Sequence, residues 1–283
     1  GRQAWVGLSD ARFGTVTLGR QYDSVVDYFQ GVTMAGTWGG LAWHASDIDN
    51  SANSFRVNNS IKYASPDIYG ITFGGVLGLS NSNAEGTSKI GMYSAGVAYQ
   101  TGGLNLAAAY FYAKQPATLF PDGDYLANTT GAAVGASGPW SFVGNPAKQQ
   151  IIGVGGTYTI GSAHIGLDYS NVKFGDANGT TSTVKFDNYE AWGSYAFTDA
   201  ATLVGGYTYS NVNLGYSAER PKYHQFNLLA DYKLSKRTEA YVSAAYQLAA
   251  GGSQPASIFD GVIGNASSTD KQVAVRVGIV HKF

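Results

Sequence analysis

Apolar and polar residues alternate along the last stretch of the chain, 271–283, which reads KQVAVRVGIVHKF. Successive side chains of a β-strand point to opposite faces. A strand here gathers one nearly continuous apolar column, made of Val273, Val275, Val277 and Ile279. The opposite column is mixed and includes Arg276. The pattern therefore predicts a strand whose two faces meet different surroundings.

The same period of two recurs from end to end, and no helical period is sustained. It predicts thirteen strands, most of them 9–12 residues long, near 2–9, 14–21, 55–65, 70–79, 91–101, 104–114, 149–159, 163–172, 185–197, 201–210, 223–234, 237–248 and 271–283. Strands of globular proteins are usually about 5–6 residues long. Strands that cross a bilayer at a tilt need roughly 9–11 residues.

The connections between the predicted strands alternate strictly between short and long. The long ones are 22–54, 80–90, 115–148, 173–184, 211–222 and 249–270. Transmembrane β-barrels sort their loops in this way, with short turns in the periplasm and long loops outside the cell. The sequence therefore predicts an all-β, antiparallel transmembrane barrel that forms a single domain over residues 1–283.

The faces of the strands support a barrel with an apolar outside and a polar inside. In 223–234, Phe226 and Leu228 share one face, and Gln225 and Asn227 share the other. We expect the apolar face to contact lipid, with aromatic girdles at the two interfaces that include Phe197, Tyr232 and Phe283. A soluble β-sandwich is the alternative, but it explains neither the polar face nor the sorted loops.

Composition narrows the function classes. Charged residues are only 13% of the chain, the net charge is −1, and there is no cysteine. A disulfide framework and a thiolate metal site are thus excluded, and nothing favours a nucleic-acid partner.

The stretch "GRQAWVGLSDARFGTVTLGRQYD", together with "NNSIKYASP" and the final "HKF", resembles the general porins of the Gram-negative outer membrane.

The resemblance implies a homotrimer of sixteen-stranded, water-filled barrels for passive diffusion of small hydrophilic solutes and ions, with membrane lipid as the other partner and no cofactor. The chain then corresponds to strands four to sixteen, with about three N-terminal strands absent. Strand parity independently predicts that an odd number of N-terminal strands is absent, because thirteen is odd and bacterial barrels have even strand numbers.

The resemblance also implies a pore constriction. Segment 22–54 is expected to fold into the lumen and face a wall of basic residues. Arg2 and Arg56 match wall arginines of the family, Lys62 shares a face with Arg56, and Arg20 matches another recurrent arginine. Strict alternation turns Arg20 outward, whereas a bulge at Gly19 turns it inward.

The tip of this segment departs from the family pattern, because "GTWGG" has Gly36 and Thr37 where many members carry Pro-Glu. The acids that remain lie near the ends of the segment: Asp23, Asp27, Asp47 and Asp49. Loss of the tip glutamate weakens the negative side of the constriction, so we expect a mild preference for anions.

Other functions find less support in the sequence. The four histidines, His44, His164, His224 and His281, lie in no catalytic motif, so we predict no enzyme activity. Asp122 and Asp124 in "PDGDY" form a weak candidate calcium site beside the simpler interpretation of a polar external loop. A substrate-specific channel, and an adhesin or receptor acting through 115–148 and 249–270, remain the alternative functions.

Overall fold

The computed structural model describes residues 1–80, 90–128, 137–252, 255–258 and 266–282. These residues form one antiparallel sheet of thirteen strands, which confirms the predicted class and number. The strands are β1 Ala4–Asp10, β2 Gly14–Gln21, β3 Val57–Ala64, β4 Ile71–Leu79, β5 Ile90–Thr101, β6 Leu104–Lys114, β7 Lys148–Ile160, β8 Ala163–Gly175, β9 Val184–Ala196, β10 Ala201–Leu214, β11 Lys222–Lys233, β12 Thr238–Ala250 and β13 Lys271–His281.

All described helices are short and lie in the connections. They are a π-helix at Val25–Phe29, 3-10 helices at Gln30–Val32, Ala45–Asp47 and Gly138–Phe142, and the α-helices α1 Met34–Trp38 and α2 Pro116–Leu119. In the described part of the chain, no helix has both the length and the apolar character needed to span a bilayer.

Each strand pairs with the next along the chain, so the strand order in the sheet is the order in the sequence. Strands β1 and β13 are its edges, and no pairing among the described residues closes it. Turns such as 102–103 and 161–162 alternate with long connections such as 22–56, as predicted. Neighbouring strands thus satisfy each other's backbone hydrogen-bonding groups. Every strand except the edge strands β1 and β13 pairs on both of its sides.

The two faces of the sheet differ as the alternation predicts. Val273 and Val277 on the outer face are 67% and 74% exposed. On the inner face Gln225 and Asn227 are buried, and the Gln225 amide donates to the carbonyl of Leu41 at 3.0 Å. A sandwich needs a second sheet over the apolar face, and the described residues leave that face uncovered. Phe197 and Tyr232 are also exposed on it, whereas Phe283 lies outside the described residues.

The connection between β2 and β3 packs against the inner face over much of the sheet. Its Val25, Phe29 and Val32 are buried in one apolar cluster with Phe111 of β6 and Ile151 of β7. Farther along the same connection, Met34 packs with Trp192, Val204 and Leu229 of strands β9, β10 and β11. One short segment can contact such distant strands only because the sheet curls around it.

Glycines in the wall make room for the connection. A Cβ added at Gly153 of β7 lies 2.6 Å from a ring atom of Phe29, well inside van der Waals contact. At Gly96 of β5 it meets the Tyr28 ring at 2.4 Å, and at Gly206 of β10 it meets the Met34 sulfur at 2.5 Å. Bare backbone at these positions lets the segment lie flat on the wall.

We therefore expect Gly153→Ala to displace the segment 22–54. Overpacking of this kind costs roughly 1–3 kcal/mol, and the aromatic ring of Phe29 is fully buried. Gly205→Ala is the matched control, since a Cβ there has only one neighbour, at 4.0 Å. Proteolysis of segment 22–54 in the folded protein measures the effect. Equal cleavage rates for the two variants contradict the seating of Phe29 on Gly153.

Candidate functional site

Arg20 points to the same side of the sheet as Arg56 because the strand is irregular there. The β2–β3 register shifts between Gly19 and Gln21, and Gly19 has a φ of 136°. The Arg20 guanidinium donates to Asn58 Oδ1 at 2.7 Å and lies 2.8 Å from Asp122 Oδ2. The bulge at Gly19 is present and turns the Arg20 side chain inward. The outward orientation that strict alternation predicts for Arg20 is wrong.

Asp122 is shared by two guanidinium groups. Its Oδ2 lies 2.8 Å from Nη2 of Arg20 and 3.6 Å from Nη1 of Arg56. All three side chains are 15–28% exposed, so water reaches the cluster but does not fully screen it. One negative charge against two positive charges leaves the cluster net positive.

This arrangement argues against the calcium site considered for Asp122 and Asp124. The Asp122 carboxylate already forms ion pairs with two arginines, and their positive charge repels a cation. Asp124 is buried, 4% exposed. The sequence showed two aspartates around a glycine, but it did not show that arginines more than sixty residues earlier reach one of them.

Lys62 and Asp27 form the second charged contact of the wall. The ammonium group of Lys62 pairs with the Asp27 carboxylate and also lies 3.4 Å from the Tyr22 carbonyl oxygen. Lys62 therefore binds the start of segment 22–54 to β3. The pair is neutral, so it adds little to the net charge beside the arginine cluster.

Asp23 is a structural residue of the segment and does not face the lumen. Its Oδ1 accepts from the Val25 amide and its Oδ2 from the Asn50 side chain, both at 2.7 Å. Burial raises the pKa of Asp23 to about 6, partly offset by the Val25 hydrogen bond. The residue connects the two ends of the segment through hydrogen bonds.

Asp47 and Asp49 are likewise buried. Asp47 accepts from the amides of Ala52 and Ser54 at 2.7 and 3.1 Å, and burial raises its pKa to about 7. Asp49 accepts from His44 and from Ser170 of β8. Of the four acids predicted for the constriction, these two and Asp23 hold the segment together, and Asp27 alone is part of the charged wall.

His44 is enclosed by carboxylates. Its Nδ1 lies 2.7 Å from Asp49 Oδ2, and its Nε2 lies 3.3 Å from Asp168 of β8 and 3.7 Å from Glu190 of β9. Burial lowers the pKa of His44, but these three carboxylates raise it further, to well above its ordinary value. The sequence placed His44 in the segment, and nothing in it indicated that strands β8 and β9 supply its partners.

An open cavity of about 800 Å³ lies beside the tip of the segment. Trp38, Arg2 and Arg276 line it, with Asp231, Lys233, Glu239 and Lys282 also in its wall. The Arg276 guanidinium lies 5.8 Å from the centre of the Tyr241 ring, which holds it by a cation–π contact. Arg276 was absent from the predicted site, although the polar column of 271–283 contains it.

The Asp23–Asn50 hydrogen bond permits a stability test. Asp23→Asn places two amide groups against each other, because the second oxygen of Asp23 is replaced by a donor that faces the Asn50 donor. We expect a loss of about 1–3 kcal/mol, the cost of unsatisfied buried polar groups. Adding Asn50→Asp restores a donor–acceptor pair. Thermal unfolding of both variants measures the effect, and a double variant no more stable than Asp23→Asn contradicts the assignment.

Known proteins resemble this chain in sequence and in fold. A family model described as Gram-negative porin matches residues 1–251. An outer membrane porin protein of Bordetella pertussis is 26% identical over 317 residues, covering 100% of this chain and 72% of that protein.

Two solved structures show the same fold. The anion-selective porin from Comamonas acidovorans has a TM-score of 0.74 at 21% identity, and the match covers 100% of this chain and 78% of that one. OmpT of Vibrio cholerae in its trimer form has a TM-score of 0.67 at 17% identity, with 99% and 80% covered.

Proposed function

Because the chain belongs to the Gram-negative porin family, we propose that it forms a water-filled channel narrowed by segment 22–54, with a mild preference for anions. Its location is the Gram-negative outer membrane, and its family and fold point to a channel rather than an enzyme. The transported species are small hydrophilic solutes and ions, which move by passive diffusion without a chemical step.

The observation that most supports an anion preference is that two guanidinium groups share the Asp122 carboxylate. Arg20 and Arg56 contribute two positive charges against one carboxylate, and the nearby Lys62–Asp27 pair is neutral. Among the described residues, neither Arg2 nor Arg276 lies within ion-pair distance of an acid. Both line the cavity at the segment tip.

A small excess of charge suffices in a narrow channel. Low-dielectric walls focus the field of fixed charges on the passing ion. Two unit charges 4 Å apart interact by about 1 kcal/mol in bulk water and by more in a less polar medium. Energies of this size favour one sign of ion without trapping it, which is what conduction requires.

The comparisons support two further parts of the proposal. The Comamonas acidovorans porin is named as anion-selective, and OmpT of Vibrio cholerae is named in a trimer form. We extend both properties to this chain: anion preference, and assembly into a homotrimer surrounded by membrane lipid. The exposed apolar outer face, which includes Val273 and Val277, is the surface that lipid and neighbouring subunits would cover.

The reversal potential in a KCl gradient across a planar bilayer tests the ion preference. We expect the unmodified channel to favour chloride mildly. Asp122→Asn removes the one carboxylate between Arg20 and Arg56, so the chloride-to-potassium permeability ratio should rise about twofold to fivefold, equivalent to roughly 0.5–1 kcal/mol.

Asp10→Asn is the matched control, because it removes the same charge from an exposed turn where Asp10 pairs only with Arg12. It should leave the ratio unchanged. A cation preference in the unmodified channel contradicts the proposal. Saturation by a single solute would instead indicate a substrate-specific channel, and the absence of stable conductance steps would indicate an adhesin or receptor.

A further inference from the structure

Three ligating side chains converge where segment 22–54 meets the wall. His44 comes from the segment, Asp168 from β8 and Glu190 from β9, and one donor atom of each lies within 4.8 Å of the others. Their exposed fractions are 0%, 7% and 3%. An isolated charge is costly to bury this deeply, so the negative charges of the carboxylates must be balanced by positive charge within the group.

The hydrogen bonds around the group fix the imidazole tautomer. Asp49 Oδ2 lies 2.7 Å from Nδ1 of His44, so Nδ1 carries a proton. In the neutral imidazole, the lone pair of Nε2 then faces the carboxylates of Asp168 and Glu190. In the described structure neither Nε2 nor either oxygen of Asp168 makes a hydrogen bond. Acceptors that face each other in a buried site require a proton or a cation between them.

The site holds either a proton, on Nε2 or on one of the carboxyl groups, or a bound cation, and the distances favour the cation. Nε2 lies 3.3 Å from Asp168 and 3.7 Å from Glu190. Charge-assisted hydrogen bonds are usually about 2.7–2.9 Å long. Two ligand atoms bound to one tetrahedral Zn²⁺ at about 2.0–2.1 Å lie roughly 3.3 Å apart.

The surrounding residues hold two of the three ligands, His44 and Glu190, in place. The contact between Asp49 and His44 is the carboxylate–histidine arrangement that orients zinc-binding imidazoles. Asp49 in turn accepts from Ser170. The two oxygens of Glu190 accept from the Met34 amide at 2.7 Å and from the Thr208 hydroxyl at 3.0 Å. The site therefore combines two positioned side chains, one on the segment and one on the wall, with the carboxylate of Asp168, which has no hydrogen-bond partner among the described residues.

We propose that His44, Asp168 and Glu190 bind a Zn²⁺ ion that joins segment 22–54 to strands β8 and β9. One imidazole nitrogen with two carboxylates suits Zn²⁺ and leaves a fourth position for water. Calcium and magnesium prefer ligand sets made of oxygen alone. Because one ligand belongs to the segment and two to the wall, binding requires the seated segment and stabilises it by mass action.

The test uses the folded protein in detergent after exhaustive chelation. Zinc chloride is titrated at neutral pH and binding is followed by calorimetry. We expect one Zn²⁺ per chain, with binding abolished in His44→Gln and in Asp168→Asn. His164→Gln is the control, because His164 lies on β8 against Trp192, with 4.9 Å between ring centres, and belongs to no part of the site.

Two measurements keep the result interpretable if a ligand variant folds poorly. Asp49→Asn retains all three ligands and removes only the charge behind the imidazole, so zinc affinity should fall about tenfold to a hundredfold. In the unmodified protein, zinc should slow proteolysis of segment 22–54. No zinc binding by the unmodified protein, or equal binding by His44→Gln, overturns the proposal.

Discussion

Hydrocarbon offers no hydrogen-bond partner, and this constraint organises the whole chain. A backbone amide or carbonyl left unpaired in lipid costs several kcal/mol. The thirteen strands meet the constraint by pairing in chain order, except at the outer edges of β1 and β13, which no described strand pairs. Once the backbone is satisfied in this way, the outer side chains need only be apolar. Val273 and Val277 illustrate the result, since both are largely exposed on a sheet edge that a soluble protein would cover.

The inner face is polar, unlike the outer face. Apolar contacts alone therefore cannot hold a connecting segment against it. Segment 22–54 combines two solutions. Its aromatic and apolar side chains lie over wall glycines such as Gly153 and Gly206, where backbone meets side chain directly. Its buried acids bind backbone amides and polar side chains within the segment and on the wall. The arginines around Asp122 carry the net positive charge that remains, to which we assign the proposed anion preference.

Sequence pattern predicted the strands and their faces well, because a period of two is a local property and the solvent on each side selects for it. It was less informative where partners depend on how the chain folds. Asp23 and Asp47 are bound by amides of their own segment, and Asp49 by Ser170 of the distant strand β8; the alternating pattern represents neither kind of contact. Arg20 depended on a bulge that strict alternation cannot represent. Two partners of His44, Asp168 and Glu190, lie more than 120 residues away, and only the curl of the sheet brings them to it.

The facing of side chains on β13 is the most direct test, and the absence of cysteine makes it clean. Arg276→Cys and Val277→Cys each introduce one thiol, at adjacent positions on opposite faces. In lipid vesicles, a membrane-impermeant thiol reagent should modify the Arg276→Cys protein and reduce its conductance, while the Val277→Cys protein stays unmodified. Rapid modification at position 277 with protection at position 276 would reverse the two faces and contradict a water-filled interior.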